Sequence, residues 1–201
     1  KQSSANQAES AVVSADLALR DSLRDAYTKT DDAIKNYANR FFFNPDTYPR
    51  FEVIIEDDNA RVYLSSSDQT RSLSLVPKKT QINKLMSEWK SEIGSYQSVD
   101  RSTLDGKVSV VLERMRTVLD FLDTLAIAVN SFETSDLSYK TTVDGFKTSV
   151  ATARTNVNTA IVNLTAANKE RNSARLSYDA PENLGGSLPT ALAEIKQAEA
   201  K

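Results

Sequence analysis

Cysteine and histidine are both absent from this 201-residue chain. Their absence excludes disulfides and thiol nucleophiles, and it removes the side chains that complete most zinc sites. It also removes histidine as a general base near neutral pH and as the central member of a Ser-His-Asp triad. An enzyme would need carboxylate, lysine or tyrosine chemistry, and no such set converges in the sequence. We therefore expect no enzyme, with no catalytic residue, cofactor or metal ion.

Charge of one sign and long apolar runs are also scarce. The formal net charge is only -2, and no basic run is longer than Lys78-Lys79, which with Arg71 forms a small spot that we interpret as solvated. A nucleic-acid-binding surface normally carries a basic patch, so we expect no nucleic-acid partner. No segment approaches the roughly 18 consecutive apolar residues of a membrane span. The missing cysteines fit an extracytoplasmic compartment, but many cytosolic chains lack cysteine as well, so both compartments stay open on this ground.

Proline and glycine are rare as well, with five of each. The prolines lie at or outside the ends of the strongly periodic segments, where apolar residues recur in steps of three and four. This pattern predicts four helices, and Pro77 suits the first turn of the second one. The predicted helices cover residues 4–42, 76–96, 102–132 and 135–178.

The third predicted helix carries the strongest periodic signal. Its apolar stripe alternates steps of four and three from Leu104 to Phe132, as in a coiled coil. Ser102 and Asp105 have the spacing of a capping box at its start. The fourth helix keeps the same spacing, but its stripe is rich in alanine, which buries little apolar surface, and the stripe lapses at Arg171.

Two short segments, FEVII at 51–55 and RVYL at 61–64, lie between the first two helices. Their β-branched and aromatic residues favour strands, and the five-residue spacer EDDNA has hairpin length. A small β-hairpin and an extended loop both remain open here. The carboxylates of Glu56, Asp57 and Asp58 lie in this turn, but their spacing does not match an EF-hand loop, so we interpret them as solvated.

These elements predict an all-α fold. Short connections favour antiparallel neighbours, which gives an antiparallel four-helix bundle. The longer first and fourth helices then extend beyond the others as a two-helix coiled-coil stem, built from about 5–20 and 160–178. We expect residues 1–178 to form this bundle and stem. Residues 179–201 are expected to form a turn, in which Gly185-Gly186 lacks a phosphate-binding pattern, and the start of a further helix.

Three adjacent phenylalanines, Phe41 to Phe43, end the first predicted helix. Neighbouring helical residues point about 100° apart, so one helix face cannot bury all three. Two interpretations remain open. The three rings close the end of the bundle together with Phe132 and Phe146, or one of them is exposed and docks a partner. Trp89, on the stripe of the second helix, is interpreted as a core residue rather than a ligand platform.

Three segments carry a resemblance to a known family. VATARTNVNTAIVNLTAANKERNSARL, at 150–176, resembles the return helix of HlyD-type periplasmic adaptors, the membrane fusion proteins of RND-type efflux pumps. LPTALAEIKQAEAK, at 188–201, is similar to the helix that leads into the second lipoyl half of such proteins. AYTKTDDAIKNYANRFFFNPDTYP, at 26–49, resembles a subset whose hairpin carries a four-helix-bundle insertion similar to a chemoreceptor sensor domain.

The sequence differs from HlyD-type adaptors in two respects. The lipoyl and β-barrel domains that define the family are not in this chain, whose ends we interpret as lying inside continuing helices of a longer protein. The Arg-Leu-Ser tip signature of RND-type adaptors occurs nowhere in the sequence, so the resemblance supplies no residues for docking on a TolC-like channel.

The resemblance implies a non-enzymatic structural module of a membrane fusion protein in an efflux or secretion system. It would act as a rigid spacer and docking element in the periplasm or another extracytoplasmic space, anchored to a membrane through the full-length protein. Its implied partners are a transporter, an outer channel or further copies of the protein. The alternative is an extracytoplasmic ligand-sensing bundle, which needs a polar pocket that the largely aliphatic stripes disfavour.

Overall fold

The computed structural model of the chain describes residues 2–57, 60–64, 69–132 and 137–179. This part is mostly helical, with four long helices and two small antiparallel strand pairs, which confirms the all-α prediction. The helices are α1 (Gln2–Asp32), α2 (Gln69–Glu92), α3 (Leu104–Asn130) and α4 (Leu137–Tyr178). Within the described residues, no helix is both long enough and apolar enough to cross a membrane.

Shorter helical segments extend the long helices. A π-helix (Ala33–Ala38) and a 3-10 segment (Asn39–Phe41) continue α1 to its end near the phenylalanines. A 3-10 helix (Ile93–Ser98) follows α2, and another (Arg101–Thr103) precedes α3. The first predicted helix therefore exists almost to its predicted end, but its last turns are not regular α-helix.

Two sequence-based details of the helix starts are wrong. Helix α2 begins at Gln69 rather than near Val76, so Pro77 lies inside the helix instead of in its first turn. The fully buried Leu75 anchors the segment before the proline, and this burial offsets the cost of the missing backbone N–H. At the start of α3, Thr103 is the N-cap residue and makes no side-chain cap bond, so the predicted capping box does not form.

The strands lie between α1 and α2. Strand β3 (Val53–Asp57) pairs antiparallel with β4 (Ala60–Leu64), which confirms the hairpin interpretation of this segment. A second pair, β1 (Phe42–Phe43) with β2 (Arg50–Phe51), was not predicted. Strands of two residues are too short to show an alternating pattern in the sequence, so they could not be predicted from it.

The four helices run up, down, up and down. Helices α1 and α4 are antiparallel, and side-chain bonds join α1 and its 3-10 extension to α4 at three levels. These bonds are Arg171 to Asp16, Asn156 to Asp32 and Arg40 to Ser149. The buried face of each helix packs into one continuous apolar core that also receives Val53 and Ile55 of the hairpin.

The stem is shorter than predicted. The connection between α2 and α3 packs beside α1, where Arg20 donates to the carbonyl oxygen of Val99 at 2.9 Å and Gln97 donates to Asp21 at 3.1 Å. These contacts extend the four-helix part down to the level of Asp16 and Arg171. The two-helix stem therefore consists of the part of α1 before Asp16 and the part of α4 after Arg171. The predicted turn at Gly185-Gly186 and the further helix predicted to follow it lie outside the described residues.

Candidate functional site

The end of the bundle opposite the stem is closed by aromatic rings. Phe41 is fully buried and meets Phe146 of α4 edge-on, with ring centroids 5.6 Å apart. Phe42 is also buried, because it is the inward residue of β1. Its ring contacts Phe51 edge-on at 5.8 Å and lies 6.0 Å from Phe121 of α3. Two of the three consecutive phenylalanines therefore belong to the closing cluster.

Phe132 completes this cluster from the end of α3, where its ring stacks on Phe51 at 6.0 Å. Phe51 had not been singled out in the sequence. The antiparallel β1–β2 pairing places it opposite Phe42, and this register is visible only in the folded chain.

Phe43 is the exposed member of the three, with 47% of its surface accessible. Successive strand residues point to opposite sides, so burying Phe42 turns Phe43 outward. The guanidinium of Arg50 lies over the Phe43 ring at 4.7 Å from its centroid. Tyr48, on the connecting loop, is 83% exposed. We define Phe43, Tyr48 and Arg50 as the tip patch.

The 44–49 loop that carries Tyr48 is fastened to the bundle. Asn83 of α2 donates its side-chain amide to the carbonyl oxygen of Pro45 at 2.7 Å, and Asn39 donates to Asp46 at 3.4 Å. Asn44 begins the loop with φ at 47°, in the left-handed region that asparagine tolerates better than most residues. Hydrogen bonds therefore hold the loop that carries Tyr48 of the tip patch against the bundle.

Lys79 lies beneath this turn and corrects the interpretation of the basic spot. It is fully buried, donates to the Asn83 side-chain oxygen and lies 6.0 Å from the Phe42 ring centroid. Burial lowers the pKa of Lys79 to about 8, although the charge of Asp46 opposes this shift. Neighbouring Lys78 pairs with Asp120 of α3. The side chain of Arg71 lies outside the described residues.

The boundary between bundle and stem is a buried ionic joint centred on Arg171. Its Nε donates to Asp16 of α1 at 2.7 Å and its Nη1 to Asp105 of α3 at 2.6 Å. Its Nη2 donates to the carbonyl oxygen of Arg101 at 2.8 Å, just before α3. Arg171 is fully buried, so the lapse in the apolar stripe marks a buried charge rather than a solvated position.

Asp16 is the second buried member of this ionic joint, and it also accepts a bond from Arg101 Nε at 2.5 Å. Burial by itself raises the pKa of the Asp16 carboxyl, but the hydrogen bonds and charges of Arg171 and Arg101 outweigh it. The pKa therefore lies below its ordinary value. The sequence alone had not singled out Asp16, because an acidic residue on α1 looks solvated until its partner 155 positions away is known.

A third polar cluster lies at mid-height around Trp89. Trp89 is fully buried and meets Tyr27 edge-on at 5.5 Å, so it packs as a core residue. Arg114 of α3 lies over the indole and holds Glu92 with two bonds of 2.6 and 3.1 Å. The hydrogen bond from Arg114 lowers the pKa of Glu92, against the effect of its partial burial.

In the acidic turn, the one carboxylate whose side chain the structure describes, that of Glu56, forms an ion pair. Glu56 pairs across the hairpin with Arg61 at 3.2 Å, while Asp58 and the side chain of Asp57 lie outside the described residues. Within the described part of the chain, no group of three potential metal ligands comes together. The bonds of Arg171 and of Arg114 join different helices, whereas Glu56 and Arg61 pair within the hairpin. Comparison with family models, curated proteins and solved structures found no match.

Proposed function

We propose that this chain is a non-enzymatic structural and docking module of an extracytoplasmic membrane fusion protein, in an efflux or secretion system. The observation that carries the proposal is the buried joint at Arg171. It binds α1, α3, α4 and the segment before α3 at one level, where the two-helix stem enters the bundle. A spacer needs such a joint, because an antiparallel helix pair held only by alanine-rich packing can slide.

The dimensions suit a spacer. Helix α4 has 42 residues, which at a rise of about 1.5 Å per residue gives a rod of roughly 60 Å. The projecting ends of α1 and α4 leave the bundle together, and the tip patch lies at the opposite end. A partner bound at the tip patch is therefore held at a distance from whatever the stem is attached to.

The tip patch supplies the docking chemistry. Aromatic residues and arginine contribute disproportionately to binding energy at protein interfaces. Here the exposed ring of Phe43 and the guanidinium of Arg50 lie on the paired strands β1 and β2, and Tyr48 projects from the loop between them. Strand pairing and the bond from Asn83 hold this backbone in place, which limits the entropy lost on binding. The proposed partners are a transporter, an outer channel or a second copy of the full-length protein, which would be anchored to a membrane.

The compartment is tested with a single introduced cysteine, since the chain has none of its own. A Tyr48→Cys variant of the full-length protein, produced in its native cells, should react with a membrane-impermeant maleimide without lysis of the inner membrane. The unsubstituted protein is the control for other cysteines. Labelling only after the inner membrane is broken would overturn the extracytoplasmic assignment.

Docking is tested by photo-crosslinking from the same cells. A photoreactive residue at position 43 should capture a membrane or envelope protein of a transport system, or another copy of the protein. The matched control is position 162 on α4, an exposed apolar residue away from the tip patch. Equal crosslinking from both positions, or capture of cytoplasmic proteins only, would contradict the proposal.

One feature favours the second candidate, a ligand-sensing bundle. A groove lined by both charged and apolar residues opens on the surface between α1 and α2, beside an irregular helical segment. A sensor of this kind requires a ligand with different affinities for two helix arrangements.

A further inference from the structure

Strand β4 forms the outer edge of the two-stranded hairpin. Within the described part of the chain, β3 is the only element that pairs with β4 or runs alongside it. Val53 and Ile55 of β3 are buried in the core. Val62 and Leu64, their neighbours on β4, are only half-buried. Strand β3 therefore lies over the core, and β4 lies towards the margin of the bundle.

The register of the hairpin fixes which backbone groups of β4 point outward. Asp57 and Ala60 pair across a two-residue connection, and residues that flank such a connection form a hydrogen-bonded pair. Because hydrogen-bonded and non-hydrogen-bonded pairs alternate along an antiparallel ladder, the backbone groups of Val62 point towards β3. The N–H and C=O groups of Arg61 and Tyr63 therefore point away from β3, as a row that can pair with a further strand.

The side chains of these two residues are also exposed. Tyr63 is 62% exposed, and the Arg61 side chain remains 68% exposed while it pairs with Glu56 at 3.2 Å. Successive strand residues point to opposite faces, so Arg61 and Tyr63 share the outer face of the hairpin, and Val62 lies on the inner one. The edge strand thus carries a cation and an aromatic ring on one face and an aliphatic side chain between them on the other.

This edge is complementary to itself. When two copies of β4 pair antiparallel about a two-fold axis at Val62, Arg61 of each copy lies opposite Tyr63 of the other. The backbone groups of both residues point outward, so these are hydrogen-bonded pairs, and each guanidinium lies beside a tyrosine ring with which it can form a cation–π contact. A two-fold axis at Arg61 would instead place two guanidinium groups opposite each other, which like charges disfavour.

We propose that β4 pairs with β4 of a second copy of this chain, antiparallel and centred on Val62, to give a four-stranded sheet in the order β3–β4–β4–β3. The contact is small, so it is weak between free chains and becomes effective where copies are concentrated by attachment to one membrane. Its use in the cell rests on the proposed function, in which a second copy is one of the partners. The pairing itself is a property of the free chain.

The first experiment measures self-association and changes the charge pattern of the edge. Sedimentation velocity of the full chain should show a monomer–dimer equilibrium with a dissociation constant between about 10 μM and 1 mM. Tyr63→Arg places guanidinium groups opposite each other and should weaken the dimer at least about tenfold. The double variant Arg61→Tyr/Tyr63→Arg places a ring opposite each guanidinium again and should recover dimerisation to within about threefold.

The matched control is Leu73→Arg, which adds a charge at an exposed apolar position of α2 outside the hairpin and should leave dimerisation unchanged. Circular dichroism checks that all variants fold. A chain that stays monomeric at about 1 mM would overturn the proposal. A Tyr63→Arg variant that dimerises like the unsubstituted chain, or a folded double variant without recovery, would do the same.

The second experiment locates the centre of the pairing. The chain has no cysteine, so Val62→Cys can form only an intermolecular disulfide. Opposite residues of a non-hydrogen-bonded pair have Cα atoms about 4.5 Å apart, which a disulfide can span. Under mild oxidation Val62→Cys should form linked dimers at least about tenfold faster than Val162→Cys, at an exposed apolar position of α4. Equal rates would refute the pairing and leave the spacer proposal intact, since its tests use cell labelling and crosslinking.

Discussion

At the scale of single residues, Arg171 and Lys79 are the buried cationic side chains among the residues that the structure describes, and their surroundings differ. Arg171 has two carboxylates and a carbonyl oxygen within hydrogen-bond distance. Within the described part of the chain, Lys79 donates only to the amide oxygen of Asn83, and the charge of Asp46 lies further away. Its pKa falls to about 8 because burial penalises the charged form. The two residues therefore affect stability in different ways, and each gives a separate prediction.

Arg171→Met should destabilise the protein by about 1–3 kcal/mol, because the buried Asp16 loses one of its two guanidinium partners and keeps only Arg101. Chemical denaturation followed by circular dichroism measures this. The control is Arg175→Met, since Arg175 is half-exposed and its bond to Asp105 is long at 3.5 Å. That control should change the free energy of unfolding by less than about 0.5 kcal/mol. Equal losses in the two variants would contradict the buried joint.

Lys79 should make the protein more stable as pH rises above about 8. Between the folded pKa of about 8 and the ordinary value of 10.5, the unfolded state binds more protons, so the free energy of unfolding increases with pH. The full gain is on the order of 3 kcal/mol, at about 1.4 kcal/mol per pKa unit. Denaturation at pH 7.5 to about 9.5 measures the accessible part of this gain.

The Lys79→Met variant isolates this effect, because its stability should lack the rise above pH 8. Tyr27 and Tyr96, whose pKa values are raised by burial, act in the opposite direction near pH 10 and are present in both proteins. Lys84→Met, at an exposed position, should keep the rise. A parallel pH profile for the Lys79 variant and the unsubstituted protein would show that Lys79 is not desolvated.

At the scale of elements, a two-residue strand resolves the interpretation of the three phenylalanines. The helical part of the chain ends at Phe41, which packs against α4. In β1 the side chains alternate, so Phe42 enters the core and Phe43 faces outward. The change from helix to strand thus allows one short run to contribute both to the closing cluster and to the tip patch.

Phe42→Ala should therefore cost about 3–5 kcal/mol of stability, as expected for removing a buried ring. Phe43→Ala should cost about 1 kcal/mol or less, which is the range of an exposed cation–π contact with Arg50. Thermal or chemical unfolding of the two variants measures the difference. Similar losses for both would mean that the inward and outward assignments of β1 are wrong.

Elements differ in how far the sequence reveals them. The stripe of α3 is regular and fully buried in the fold, so its period was sufficient to place the helix. The early start of α2 was missed because a proline normally marks a first turn, while Leu75 is buried by tertiary contacts. The capping box failed because Asp105 binds Arg171, a charge-assisted bond that outweighs a local cap.

At the scale of the whole molecule, the helices share one core and the ionic joint ties three of them together. We expect the described bundle to unfold as one cooperative unit. Trp89 is the only tryptophan and is fully buried, so its fluorescence reports on the core while far-ultraviolet circular dichroism reports on all helices. The two denaturation curves should have the same midpoint. Helical signal lost well before the fluorescence changes would show that the stem separates first.

The residues of the candidate sites were harder to predict from the sequence than the fold was. Phe41, Phe42 and Phe43 stand out as a run, and so they were found. Arg171 appeared only as an interruption, because its partners Asp16 and Asp105 are distant in the chain. Lys79 looked solvated, because burial of a lysine depends on the loop folded over it.

Composition and the spacing of apolar residues thus determined the features that depend on neighbouring parts of the chain, namely the helices and their antiparallel order. Steps of three and four placed the helices, and short connections favoured antiparallel neighbours, because both follow from the geometry of one helix and the reach of its linkers. The tertiary structure alone decided the level at which α1 and α4 meet, the burial of Arg171 and Lys79, and the strand that separates Phe42 from Phe43. These features depend on pairings between residues far apart in the chain, for which a single sequence holds no periodic signal.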